Sequence, residues 1–238
     1  MQKKLCIFLS IIFCFLLCIS CGLNVFYEID PPINAAEPNP SDGTTTSIIS
    51  FDPSAQEFEF TARNVSSTFI APGTDVYYRI YGSISSLQSD AAQINTSNTE
   101  NTSNGFNKMT SLNYQKITVS SSTQGYLIDE NGGRVAIRLF VDSTTSANYE
   151  AGIRVDGNNI GVPTRFNGNL FNFDTGDTAG NDYENPLPQS GDADYNATSD
   201  GNNYWYVNAY AVSVGLENGT FTQVRSELLP LGFVVYRR

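Results

Sequence analysis

Tyr204-Trp205-Tyr206-Val207-Asn208-Ala209-Tyr210-Ala211-Val212-Ser213-Val214 is the stretch that decides the fold. Aromatic and β-branched residues dominate it, and neither Gly nor Pro interrupts it, which suits a pleated strand. Successive strand side chains point to opposite faces, so the run presents two sets. One is Trp205, Val207, Ala209 and Ala211; the other is Tyr204, Tyr206, Asn208 and Tyr210.

Working outward, Leu228 to Tyr236 reads as a closing strand, and Thr74 to Tyr81 as a strand entered through a turn at Ala71-Pro72-Gly73. Phe58 and Phe60 alternate with Glu57, Glu59 and Thr61, the pattern of a half-buried strand. Shorter strand signals run over Ser47 to Phe51, Tyr114 to Val119 and Arg134 to Val141. Ala151 to Asp156 and Ile160 to Phe166 form a hairpin about Gly157-Asn158-Asn159. Ser85 to Gln93 reads as a short helix, polar Asn95 to Asn107 as a loop, and Phe171 to Asn203, rich in Asp, Gly, Asn and Pro, as a long loop. Aromatic residues are plentiful (13 Tyr, and 15 Phe of which three lie before residue 20), while Gly, Asn, Ser and Thr are abundant throughout. With no long amphipathic helix pattern, the composition predicts an all-β domain with generous loops. Roughly 190 residues after residue 46 suit one elaborated sandwich better than two domains.

The C-terminal third resembles a fibronectin type III or related immunoglobulin-like domain. Trp205, Val207 and Ala209 fall at the spacing of that family's strand F, and Ala211-Val212-Ser213 ends the run. The resemblance implies an immunoglobulin-like β-sandwich with long loop insertions. Val76, Tyr78 and Ile80 would then supply the core face of strand C, and Leu228 to Val235 would be strand G.

The chain opens with Lys3-Lys4, an apolar run from Leu5 to Ile19, then Ser20-Cys21-Gly22. A basic segment, an apolar segment and a small residue at a cleavage point make an export signal. The apolar run holds 15 residues, short of the roughly 20 that a membrane-spanning helix needs. Cys18-Ile19-Ser20-Cys21 resembles a bacterial lipobox, closest to the loose lipoboxes of spirochaetal lipoproteins. That resemblance implies residues 1–20 as a signal helix, a lipid on Cys21, and a tether over 21–46 leading to the domain at 47–238. Gly22 is not the Asp of inner-membrane retention, so the outer membrane is the expected location, with the domain periplasmic or surface-exposed. Plain secretion is the competing reading.

Composition closes several routes to function. Cys6, Cys14, Cys18 and Cys21 all lie in the signal or at the anchor, and the chain has no histidine. The domain therefore has no disulfide, thiolate zinc site, cysteine nucleophile or imidazole base. Without Lys3 and Lys4 the chain carries 11 basic and 24 acidic residues, a net charge of −13. Such a surface repels nucleic acid, which is not an expected partner.

Two regions are candidate sites. If Trp205 and Val207 face the core, then Tyr204, Tyr206 and Tyr210 face the other way, joined on a neighbouring strand by Tyr77, Arg79 and Tyr81. Tyrosines offer apolar area with a polar tip, suited to protein partners or sugar rings. The competing reading has the Ser83 to Asn113 insertion fold over this face as a second core. The other region is Asp192, Asp194, Asn196 and Asp200, spaced as ligands of a calcium loop, although Ala197 and Asn203 stand where Gly and Glu belong. A solvated loop without metal or other cofactor is the simpler expectation there. The function expected is a non-catalytic binding or structural role for a lipid-anchored envelope protein. The alternative is a glycan-active enzyme, a glycoside hydrolase, with a carboxylate pair in the 171–203 loop.

Overall fold

In a computed structural model, residues 29–36, 57–62, 69–100, 102–119, 125–129, 133–139, 151–171 and 187–237 are described. The signal, Cys21 and the Ser47 to Phe51 segment lie outside them. In chain order the strands are β1 (Ile33–Ala36), β2 (Phe58–Thr61), β3 (Phe69–Tyr81), β4 (Gln115–Lys116), β5 (Thr118–Val119), β6 (Ile128–Asp129) and β7 (Arg134–Arg138). There follow β8 (Gly152–Val155), β9 (Asn158–Gly161), β10 (Pro163–Thr164), β11 (Tyr195–Asn196), β12 (Tyr204–Glu217), β13 (Gln223–Arg225) and β14 (Leu229–Arg237). Two helices, α1 (Ile84–Glu100) and α2 (Thr102–Ser111), follow β3.

One sheet runs β1-β2-β7-β8-β9, all antiparallel. A second is built on β3 and β12, with β14 and β13 along the far edge of β12 and β4, β6 and parallel β11 on β3, and β5 and β10 form a separate antiparallel pair. Phe58, Phe60, Val135, Ile137 and Ile153 of the first sheet meet Val76, Ile80, Trp205, Val207 and Ala209 of the second in one buried core. The domain is an all-β sandwich, and the three strands read at 74–81, 204–214 and 228–236 lie side by side.

Several boundaries differ from the sequence reading. Ala71-Pro72-Gly73 is not a turn but part of β3. Gly73 pairs Val214 while Ile70 pairs Leu216, so one extra residue is bulged there. A bulge is where a strand can accept a proline, which has no ladder donor. The β8–β9 hairpin turns at Asp156-Gly157 rather than over 157–159, with φ of 49° and 82°. A two-residue hairpin turn needs such left-handed pairs, and Asp-Gly supplies them. The tether read over 21–46 is already bound at its middle: Ile29 is buried and β1 pairs with β2.

The largest difference is helical. The short helix at 85–93 extends through Glu100, and the loop read at 95–107 is mostly helix. Asn, Ser and Thr are weak helix formers, so local propensity argues against it. Leu87, Ala91, Ile94 and Asn98 nevertheless recur at one-face spacing, and the sheet beneath supplies the stabilisation that propensity lacks.

Candidate functional site

Strand parity puts the tyrosines together as expected. Across β3 and β12, Tyr81 is opposite Tyr206, Arg79 opposite Asn208, and Tyr77 opposite Tyr210. The face is not open, however, and this corrects its reading as a contact surface. Helices α1 and α2 lie on it, bringing Leu87, Ile94 and Met109 into a second core with Tyr81, Tyr206 and Tyr210. These three tyrosines are 0%, 3% and 1% exposed, and Tyr77, Arg79 and Tyr204 are half-buried.

Burying this many hydroxyls requires partners for them. Asn208 Nδ2 donates to Tyr114 Oη at 2.8 Å, and Tyr81 Oη lies 3.0 Å from both Tyr114 Oη and Asp90 Oδ2. A carboxylate only accepts, so the Tyr81 proton goes to Asp90 and Tyr114 donates to Tyr81. Tyr210 Oη donates to Asn95 Oδ1 at 3.1 Å. Burial pushes Tyr114 up to about 12 and raises Tyr81 and Tyr210 further, so all three stay neutral phenols. Arg79 ion-pairs with Asp90 of α1 at 3.1 Å and donates to the Leu112 carbonyl just beyond α2. A cation there suits the negative end of the helix. Asn98 closes the other side, donating to the Leu228 carbonyl at 3.0 Å and accepting from the Leu228 N–H at 2.9 Å. The polar groups of this face therefore fasten the helix pair to the sheet.

The acidic segment is organised by a residue that its spacing did not reveal. Arg165 Nε and Nη2 donate to the two oxygens of Asp194 at 2.7 and 2.6 Å, and Nη2 also reaches Asp192 Oδ2 at 2.7 Å. Arg165 is 1% exposed and Asp194 is 0% exposed. Tyr78 Oη donates to Asp194 at 2.5 Å and accepts the Phe166 N–H at 3.1 Å. Burial works against charge on Asp192, but Arg165 and the Gln189 N–H outweigh it and hold its carboxyl below the ordinary range. Asn196 Oδ1 accepts the Thr198 N–H, while Asp200 Oδ2 accepts the Ile84 N–H at the start of α1.

The four residues spaced as calcium ligands are thus held by different partners. A guanidinium takes the position a cation would hold between Asp192 and Asp194, and Asn196 and Asp200 turn to other donors. Among the described residues no three metal-ligating side chains are gathered. A second buried carboxylate, also absent from the sequence reading, is Asp75. It pairs with Lys116 at 2.7 Å and accepts the Leu127 N–H at 3.1 Å. Burial raises its pKa despite Lys116.

The class that fold and side chains define is an all-β sandwich whose second sheet is capped by a helical hairpin and whose buried charges are internally paired. No protein-family model, curated protein or solved structure shows a match to the chain.

Proposed function

We propose that this chain is a lipid-anchored bacterial envelope protein, attached through a diacylglycerol on Cys21, whose β-sandwich has a non-catalytic binding or structural role. The observation that carries the reading is the order Lys3-Lys4, apolar Leu5 to Ile19, Ser20, Cys21. Its resemblance to a lipobox favours the outer membrane, on either side. The adjacency of β3, β12 and β14 supports the immunoglobulin-like reading, in which strands C, F and G are neighbours.

The pairing of buried charge supports a non-catalytic role. Asp75 and Asp194 are the buried carboxylates among the described residues, and each is tied to a cation. They hold strands and loops in place instead of facing a substrate. A glycan-active enzyme needs two carboxylates open to a sugar; Asp192 and Asp194 of the 171–203 loop are taken up by Arg165, while Asp174, Asp177, Asp182 and Glu184 lie outside the described residues. With the tyrosine face filled by the chain's own helices, a protein or glycan partner would bind elsewhere on the domain.

Labelled fatty acid fed to expressing cells tests the anchor. Label is expected on the protein and lost with Cys21→Ser, which should release the chain from the membrane fraction. Label retained by Cys21→Ser would overturn the reading. Protease treatment of intact and lysed cells then assigns the side: loss on intact cells places the domain outside, and protection until lysis places it in the periplasm.

A further inference from the structure

Phe221 stands at the tip of the β12–β13 hairpin, 66% exposed. The turn is closed by the Glu217 N–H donating to the Thr222 carbonyl at 3.0 Å and the Phe221 N–H to the Glu217 carbonyl at 2.9 Å. Phe221 adopts φ of 56°, the left-handed region. The other described non-glycine residues there are Asn113 and Asp156, which tolerate it; an aromatic residue does so at a cost in strain. The fold thus holds a strained phenylalanine out in water.

Its neighbourhood indicates a partner. Ile70, 38% exposed, lies at the same end of the sheet, opposite Leu216, while Phe69 is opposite Glu217. The start of the described chain packs there too. Ile29 Cδ1 and Phe69 Cβ both lie 3.2 Å from where a β-carbon on Gly215 would sit. Ile29 lies eight positions along the chain from Cys21, a reach of at most about 29 Å when fully extended. An anchor on Cys21 therefore holds this end of the domain within about 29 Å of the membrane. Residues 218–224 carry no charged side chain in a chain that is otherwise strongly acidic. The tip can approach headgroups that the bulk of the surface would be repelled by when they are anionic.

We propose that the Phe221 hairpin tip is a second point of contact with the lipid surface, docking the domain end-on beside its anchor. This rests on the lipid-anchor reading. The apolar ring enters the headgroup–acyl boundary, as apolar side chains of membrane-surface segments do. Phospholipid is the occupant, and no headgroup charge is needed for it.

The test uses the lipidated chain carrying Phe221→Trp, reconstituted in phosphatidylcholine vesicles. The unsubstituted protein, whose Trp205 is buried, is the reference. The added emission is expected to shift to shorter wavelength on reconstitution and to be lost when dibrominated phosphatidylcholine replaces the ordinary lipid. Emission that stays at its water-exposed wavelength and escapes the bromines would overturn the contact while leaving the anchor intact. A shift that bromolipid does not quench, and that grows with protein per vesicle, would assign the tip to a second copy of the chain and likewise overturn it. The mass of the mature N-terminal peptide separates the two readings: Cys21 without lipid removes the anchor and this inference together.

Discussion

At the scale of single residues, the most consequential side chain is Arg165, which neutralises two aspartates from inside the domain. Removing one member of a buried ion pair strands the other charge, a loss of about 3–5 kcal/mol. Arg165→Met should lower unfolding free energy by that order in urea titration, because the fully buried Asp194 would lose its cation. Asp194→Asn in the same background should recover part of the loss. A loss well under that range would show that Asp194 finds another donor. Asp192 gives a pH signature. Its folded pKa is depressed, so its contribution is present above the ordinary carboxylate value and is lost as pH falls through the folded one. The stability gap between the parent and Asp192→Asn should be widest near neutrality and close under acid; a gap that widens under acid would contradict the Arg165 pairing. None of this was legible in spacing, because Arg165 lies 27 and 29 residues from its partners. The aspartates alone, read at two-residue intervals, mimic a calcium loop.

At the scale of elements, α1 and α2 turn a potential contact surface into a core. Ile94 is fully buried between helix and sheet. Ile94→Ala should cost about 2–5 kcal/mol, the usual loss for a large aliphatic side chain cut to alanine in a core. The same substitution should speed amide exchange in α1 and α2 more than in β12; uniform acceleration would mean that the helix pair and sheet unfold as one unit. What the sequence showed here follows from period. Strands β3, β12 and β14 were readable because each is a long run rich in aromatic and aliphatic residues, and the parity of β12 correctly separated Trp205 from Tyr206. The helix pair was only partly readable, because its apolar stripe is narrow and completed by a polar residue, Asn98, whose partner Leu228 is 130 residues away. Gly73 explains another miss. A β-carbon there would lie 2.6–2.7 Å from Tyr126 ring and stem atoms. This glycine therefore serves a close aromatic packing within a strand, whereas Pro-Gly in sequence reads as a turn.

At the scale of the whole molecule, charge is the property that reaches furthest. With 24 acidic residues against 11 basic ones beyond the leader, most carboxylates have no cation of their own. Several of the arginines and one of the lysines are committed to specific pairs, as with Arg79, Arg165 and Lys116. The unpaired remainder is a net negative shell whose self-repulsion opposes compactness. Salt acts on the two populations differently. Going from about 0.01 M to 0.15 M shortens the screening length from about 30 Å to about 8 Å, which weakens repulsion among exposed charges and affects buried pairs much less. Exposed pairs such as Arg134–Glu59 are also weakened, but each is worth little. The balance therefore favours the folded state: the Tm of the soluble domain should rise over that range of sodium chloride. It should rise similarly with potassium chloride, since general screening needs no specific cation. A Tm that falls with salt would mean that surface pairs outweigh the net repulsion. A rise produced by calcium at concentrations too low to screen would point instead to a bound ion, and would require the carboxylates held by Arg165 to have a second arrangement.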